Sequence, residues 1–347
     1  MKLNVEGKQM KKLRWWLAGL VMVVMAVLAV GTQSAHAASG ASFTIAPVLT
    51  DSQVGTDDGY FNLMLKPGQE ETLAVTVTNL TGKTKRIRVT PTTAGTSNSG
   101  QLSYVPGLPT DTSAQYRLSD LMDKGTTINL QPHHASRVSF KLKVPSDGIR
   151  GQLLGAIYAR DLAGYKQGGT GVTVVNKFAM VIGVMARTSD KEYAPDLKLL
   201  GVRPGVQSNQ AAVIASVQNN QPRLFGSMKM VAKVTRKGQS KVLIKRTETN
   251  MSMAPNSHFD YGVYSKKALS AGTYTLTLTA TAHQWHWQFK RNFTITGKQA
   301  AKVNKQTNLK PESHFPWLWV VIGVLVLIIL VLLILLLKRR KDDTEKD

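Results

Sequence analysis

Apolar and polar residues alternate with a period of two along most of this chain. In Leu73-Ala74-Val75-Thr76-Val77-Thr78 the residues Leu73, Val75 and Val77 share one face, the pattern of a strand with one side buried. Arg86-Ile87-Arg88-Val89 repeats it with charges outward, as do Val138-Ser139-Phe140-Lys141-Leu142-Lys143-Val144 and Tyr274-Thr275-Leu276-Thr277-Leu278-Thr279. Turn signals separate such runs: Lys66-Pro67-Gly68, Thr81-Gly82-Lys83, Pro145-Ser146-Asp147-Gly148 and Arg236-Lys237-Gly238. Residues 119–124 are the one candidate for a helical turn. Short strands at a spacing of roughly ten residues predict β-sandwiches. The alternation lapses over 189–195, and Pro195 interrupts pairing there. The expected fold is therefore all-β, with two immunoglobulin-like β-sandwich domains in tandem at 42–187 and 195–297. The polar, basic segment 298–316 reads as a stalk.

Two apolar runs stand outside this pattern. Residues 317–337, WLWVVIGVLVLIILVLLILLL, carry no charge and as a helix would be ~31 Å long, enough for the ~30 Å core of a bilayer. Trp317 and Trp319 fall where an interfacial aromatic belt lies, and Lys338, Arg339, Arg340 and Lys341 follow as at a cytoplasmic end. One C-terminal transmembrane helix with a cytoplasmic tail at 338–347 is expected. Near the other terminus, Lys8, Lys11, Lys12 and Arg14 precede an apolar run over 15–30, then Ala35-His36-Ala37. That is the layout of a secretory signal peptide over 1–37, cleaved after Ala37; a retained signal anchor is the alternative, against which Gly31 and Thr32-Gln33-Ser34 argue. The expected location is the cell membrane, single-pass type I, with the ectodomain facing the wall and exterior.

Charge and composition narrow the chemistry. The 347 residues include no cysteine, which removes disulfides, thiolate nucleophiles and cysteine metal sites. The net charge is +23, and most of it lies in the exported part. Such an excess either solvates the surface or attracts the anionic polymers of a cell wall. Nucleic acid is no expected partner of an exported, tethered chain. The densest basic cluster, Arg236, Lys237, Lys241, Lys245 and Arg246, is expected on one hairpin, either as a binding patch or as protection of a sheet edge.

Catalytic motifs are missing: there is no Gly-x-Ser-x-Gly, no His-Glu-x-x-His and no Walker loop. His283 and His286 would lie on opposite faces if the strand over 273–282 runs on through the aromatic residues, so no shared metal ion is expected. Trp285 and Trp287 would share one face, filling a core or forming an aromatic platform. No cofactor is expected. The residues before the apolar helix, Lys310-Pro311-Glu312-Ser313-His314, lack the Leu-Pro-x-Thr-Gly of sortase attachment.

Several segments follow one another as in a known family. They are Phe43 to Pro47, Gly59-Tyr60-Phe61, Lys66-Pro67-Gly68, Val75-Thr76-Val77-Thr78-Asn79 and Val144-Pro145 to Gly151. Further on come Asn219-Asn220-Gln221-Pro222, Met253-Ala254-Pro255-Asn256-Ser257-His258-Phe259, Ala271-Gly272-Thr273-Tyr274, and Trp285 through Phe289 to Phe293-Thr294-Ile295-Thr296. In their order and spacing the chain resembles the WxL-interacting proteins of Gram-positive bacteria, across essentially its whole length. The resemblance implies a non-enzymatic surface scaffold: a first domain contacting peptidoglycan, a second contacting host components such as extracellular-matrix proteins, and complexes with WxL-domain surface proteins. Trp15-Trp16-Leu17, within the signal peptide, is the one Trp-x-Leu of the sequence, so the chain resembles the companion and not the WxL protein. A membrane-tethered cell-wall hydrolase or transferase is the rival reading.

Overall fold

A computed structural model of the chain describes residues 42–55, 59–162, 165–167, 174–176, 178–310 and 317–344, with 165–167, 174–176, 317–319 and 335–344 described through their backbone alone. The expected signal peptide and Ala37 lie outside the described residues. The first half folds as β1 (Phe43–Val48), β2 (Phe61–Met64), β3 (Glu70–Asn79), β4 (Lys85–Thr93), β5 (Gly95–Thr96), β6 (Leu102–Ser103), the short helix α1 (Leu118–Leu121), β7 (Thr126–Leu130), β8 (Ala135–Lys143), β9 (Leu153–Asp161), β10 (Tyr165–Gln167), β11 (Val174–Asn176) and β12 (Ala179–Arg187). The second half continues with β13 (Leu197–Gln207), β14 (Gln210–Asn219), β15 (Phe225–Arg236), β16 (Val242–Met253), β17 (Ser257–Tyr264), β18 (Gly272–Ala282) and β19 (Trp285–Ile295). Two helices follow, α2 (Gly297–Gln306) and α3 (Trp317–Thr344).

Both halves are sandwiches with the same topology. In the first, the sheet β1-β3-β8 faces β2-β12-β9-β4-β7; in the second, β13-β14-β17 faces β16-β15-β18-β19. Taking β3 with β14, β4 with β15, β9 with β18 and β12 with β19, the strand orders coincide. To these two sheets, among the described residues, the first sandwich adds β2, which pairs parallel to β12, Phe61 opposite Val184. Alternation supplies the inner faces: Leu73, Val75 and Val77 are buried with Phe140, Ile87, Val89 and Ile157. In the second core Met228, Met230, Ala232 and Val234 of β15 meet Val213, Ala215 and Val217 of β14.

One device closes the same corner in each half. At the end of β3, the fully buried Asn79 donates from Nδ2 to the carbonyls of Lys83 (2.8 Å), Leu130 (3.2 Å) and Gln131 (3.0 Å), while Oδ1 accepts from Thr81 N–H (3.0 Å). At the end of β14, Asn219 donates to the carbonyls of Arg223 (2.8 Å) and Ala254 (3.0 Å) and accepts from Gln221 N–H (3.2 Å). A side-chain amide satisfies buried backbone groups that neither sheet can reach at these corners.

Two expectations change. The segment from 298 is not free stalk at its start, because α2 occupies it. Thr296 caps α2 in a reciprocal capping box with Gln299, and the spacing of Ala300 and Val303 turns both into the second core. Asn304 anchors the other end, accepting from Leu269 N–H and donating to Leu269 O, both at 2.8 Å. The aromatic run also does not continue β18. His283 takes a left-handed φ of 50°, and with Gln284 it turns the chain so that Ala282 faces Trp285 across the β18–β19 hairpin.

α3 contains Trp317, Trp319, Lys338, Arg339, Arg340 and Lys341 in its helical backbone. Its side chains are described over 320–334, all of them exposed. Among the described residues no helix is long and apolar enough to cross a membrane.

Candidate binding surfaces

The sandwiches are joined by an excursion of the first over the second. Between β4 and α1 the chain leaves its sheet, makes the β5–β6 hairpin, and lays it along β16 and β17. Ala254 N–H donates to Thr96 Oγ1 (3.0 Å), Ser252 N–H to Gly100 O (2.7 Å) and Asp260 N–H to Asn98 Oδ1 (3.0 Å); Gln101 Nε2 donates to Asn250 O (2.9 Å). Ala94, Leu154 and Ala254 form a small apolar cluster beneath. Gln152 makes a second seam: its N–H donates to Pro222 O (2.8 Å) and its Oε1 accepts from Leu224 N–H (2.7 Å). Gly151, at φ 63°, allows this approach, since a Cβ there would stand 2.4 Å from Pro222 O.

Asp111 is the electrostatic centre of the interface. Its carboxylate, almost fully buried, accepts from Ser113 N–H (2.8 Å) and Oγ (2.6 Å) within its own loop, and from Gln218 Nε2 (2.7 Å) of the second sandwich; Oδ2 lies 2.6 Å from His258 Nδ1. Burial would raise the pKa of this carboxyl. The hydrogen bonds from Ser113, His258 and Gln218 outweigh that and hold it below the ordinary range. The Asp111–His258 pair thus ties a loop of the first sandwich to β17 of the second.

Beside this joint opens a cleft of about 700 Å³, lined from one side by Ser97, Asn98 and Pro109 and from the other by Leu200, Arg203 and Asp260. Arg203 pairs with Asp260 at 2.7 Å. Leu200 is exposed where a bulge breaks the β13–β14 register, and Arg291 fixes that bulge through the carbonyls of Leu199 and Leu200. A smaller groove at 189–193 is floored by Tyr193, with the cations of Arg150 and Lys191 over its ring at 5.1 and 5.4 Å.

The basic cluster does lie on the β15–β16 hairpin, but it divides between faces. Arg246 points inward, its guanidinium 4.6 and 4.7 Å from the ring centres of Tyr261 and Tyr264, donating to Gly262 O (2.7 Å) and Glu248 (3.0 Å). Arg236 lies over Tyr274 at 5.3 Å. Lys237 and Lys241 remain exposed at the hairpin tip, and Lys245 faces outward opposite Lys233. Lys233 escaped the sequence reading because proximity along the chain does not reveal cross-strand partners. Trp285 and Trp287 share the inner side of an edge strand, both half-buried. Trp287 leans on Phe225 (5.9 Å) and Trp285 lies under Arg223 (5.4 Å). Among the described residues no His, Asp or Glu group could hold a metal ion.

Against protein families, residues 43–161 match the peptidoglycan binding domain of the WxL Interacting Protein, and residues 169–305 match its host binding domain. The chain belongs to the WxL-interacting proteins. Both matched units are binding domains, which gives this WxL-interacting protein a surface-binding role. The host-binding match begins before β12, although β12 hydrogen-bonds to β9 and β2 and completes the first sandwich. A sequence comparison with curated proteins finds no match. Among solved structures, the class 5 fimbriae chaperone CfaA is 11% identical over 73% of this chain and 98% of its own, with a TM-score of 0.25. The E. coli chaperone DraB is 13% identical over 69% of this chain and 96% of its own, with a TM-score of 0.27.

Proposed function

We propose that this WxL-interacting protein is a non-catalytic surface scaffold of two immunoglobulin-like domains, one contacting peptidoglycan and one contacting host matrix proteins, on which WxL-domain proteins are tethered. The observation that carries the reading is the succession of two binding-domain matches on two sandwiches that share a polar, hydrogen-bonded joint. A rigid joint fixes the distance and angle between two ligands, which a scaffold requires and two independent modules do not. Residues 1–37 act as a signal peptide cut after Ala37, and α3 is retained in the membrane with its basic end inside. Because α2 and Leu309 pack on the second core, only 310–316 separate that domain from the span. Fully extended, this tether reaches roughly 25 Å.

Sedimentation of the purified full chain with insoluble peptidoglycan tests the first contact. Retention without soluble fragments supports binding, and release of muropeptides would establish the hydrolase instead. Co-precipitation with WxL-domain proteins of the same cell, at low and physiological salt, tests the tethering; no retention at either salt overturns it.

A further inference from the structure

The outer face of the sheet β16-β15-β18-β19 carries a basic arrangement separate from the joint and the clefts beside it. Cross-strand register sets Lys245, Lys233, Thr277 and Lys290 in one continuous row across all strands of the sheet. The next row is Thr247, Val231, Thr279 and Gln288, and beyond it Lys229 faces Thr281. The lysines Lys229, Lys233, Lys245 and Lys290 are all exposed, and none makes an ion pair among the described residues. No carboxylate occupies these rows; Glu248, the acid of β16, points inward to Arg246.

Like charges directly opposite each other destabilise a sheet, so the Lys233–Lys245 pair works against folding unless something anionic covers it. Strand spacing places Lys233 about 5 Å from Lys245 and about 10 Å from Lys290, with Lys229 roughly 13 Å along the strand. None of the best-formed pockets among the described residues is lined by these rows, and an open sheet face suits an extended chain better than a small enclosed ligand. Hydroxyls of Thr277 and Thr281 lie between the cations, able to bond both phosphate oxygens and the hydroxyls of a polyol, while Thr279 donates to Val231 O.

We propose that this face binds a linear phosphodiester-linked polyol of the cell envelope. The inference rests on the scaffold reading, because the short tether keeps the second domain within reach of the membrane surface, where such a polymer and not a host polysaccharide would be met. Repeated phosphates along one chain can engage several lysines at once, and the charges complement along the whole row.

The test uses the full chain in detergent with immobilised poly(glycerol phosphate), heparin and neutral dextran. The variant Lys229→Gln/Lys233→Gln/Lys245→Gln/Lys290→Gln is compared with Lys266→Gln/Lys298→Gln/Lys302→Gln/Lys305→Gln, which removes the same charge from exposed sites elsewhere in the second half. The face variant should bind poly(glycerol phosphate) at least about tenfold more weakly, while the second variant stays within about twofold of wild type. Equal weakening in both variants, or no binding by wild type, overturns the proposal. Tighter binding to heparin with the same lysine dependence also overturns it, in favour of a sulfated host polysaccharide. Peptidoglycan sedimentation run on the same samples separates the two readings: if it persists while polymer binding is absent, only the present inference falls.

Discussion

Asp111 is the side chain on which the two sandwiches depend most directly, since its one carboxylate accepts from Gln218 and pairs with His258 across the joint. Replacing it by Ala removes charge-assisted bonds from a buried site and should cost about 2–3 kcal/mol, measured by denaturant unfolding. Because its folded pKa is lowered, its contribution is fully present above the ordinary aspartate value near 4 and is lost as pH falls through the folded value. Wild type should therefore lose stability more steeply than Asp111→Asn in that acid window, and the two profiles should run parallel at neutral pH. Tyr261 offers the opposite case. Its hydroxyl is buried without a hydrogen-bond partner among the described residues, burial raises its pKa despite the nearby Arg246, and its ring supports that guanidinium. Tyr261→Phe keeps the ring and removes the orphaned hydroxyl, so the Tm should hold or rise, whereas Arg246→Ala should lower it. A drop in Tm for Tyr261→Phe would mean that the hydroxyl has a partner such as water.

At the scale of elements, α2 is the clearest dependence. Ten residues that look polar in sequence form a helix because Thr296 and Gln299 satisfy its first backbone donors and because Ala300 and Val303 reach the core. Thr296→Ala should cost about 1 kcal/mol, and Val303→Asp considerably more, both read from thermal unfolding of the full chain. If α2 were loose stalk, neither substitution would register. The strands themselves were legible, since alternation with turn residues between runs is a local property. The helix was not, because only two of its apolar side chains face inward and their target comes from distant strands. The same holds for the basic hairpin: the sequence places Arg246 beside Lys245, but the pleat sends one to the aromatic interior and the other to the surface.

Across the whole molecule, the joint determines whether the sandwiches behave as one body. The β5–β6 hairpin, Asp111 and Gln152 contact the second sandwich at separate places, so hinge bending must break several buried bonds at once. Gly151→Ala places a methyl against Pro222 O at a left-handed φ. It should split a single thermal transition into two and raise the hydrogen exchange of 220–224. One unchanged transition would show that the domains are coupled elsewhere.

The sequence by itself determined what local periodicity and composition can carry: an all-β chain, two repeats of strands, an apolar helix near the C-terminus, an excess of positive charge, and no cysteine chemistry. These follow from which side chains lie two, or three to four, positions apart. Tertiary structure alone decided which residues meet across strands and across domains. It paired Lys233 with Lys245, buried Asp111 against His258, withdrew Arg236 and Arg246 onto tyrosines, and folded the start of the supposed stalk onto the second core. Those contacts join positions up to 147 residues apart, and their energies depend on burial and register, which no local window of sequence contains.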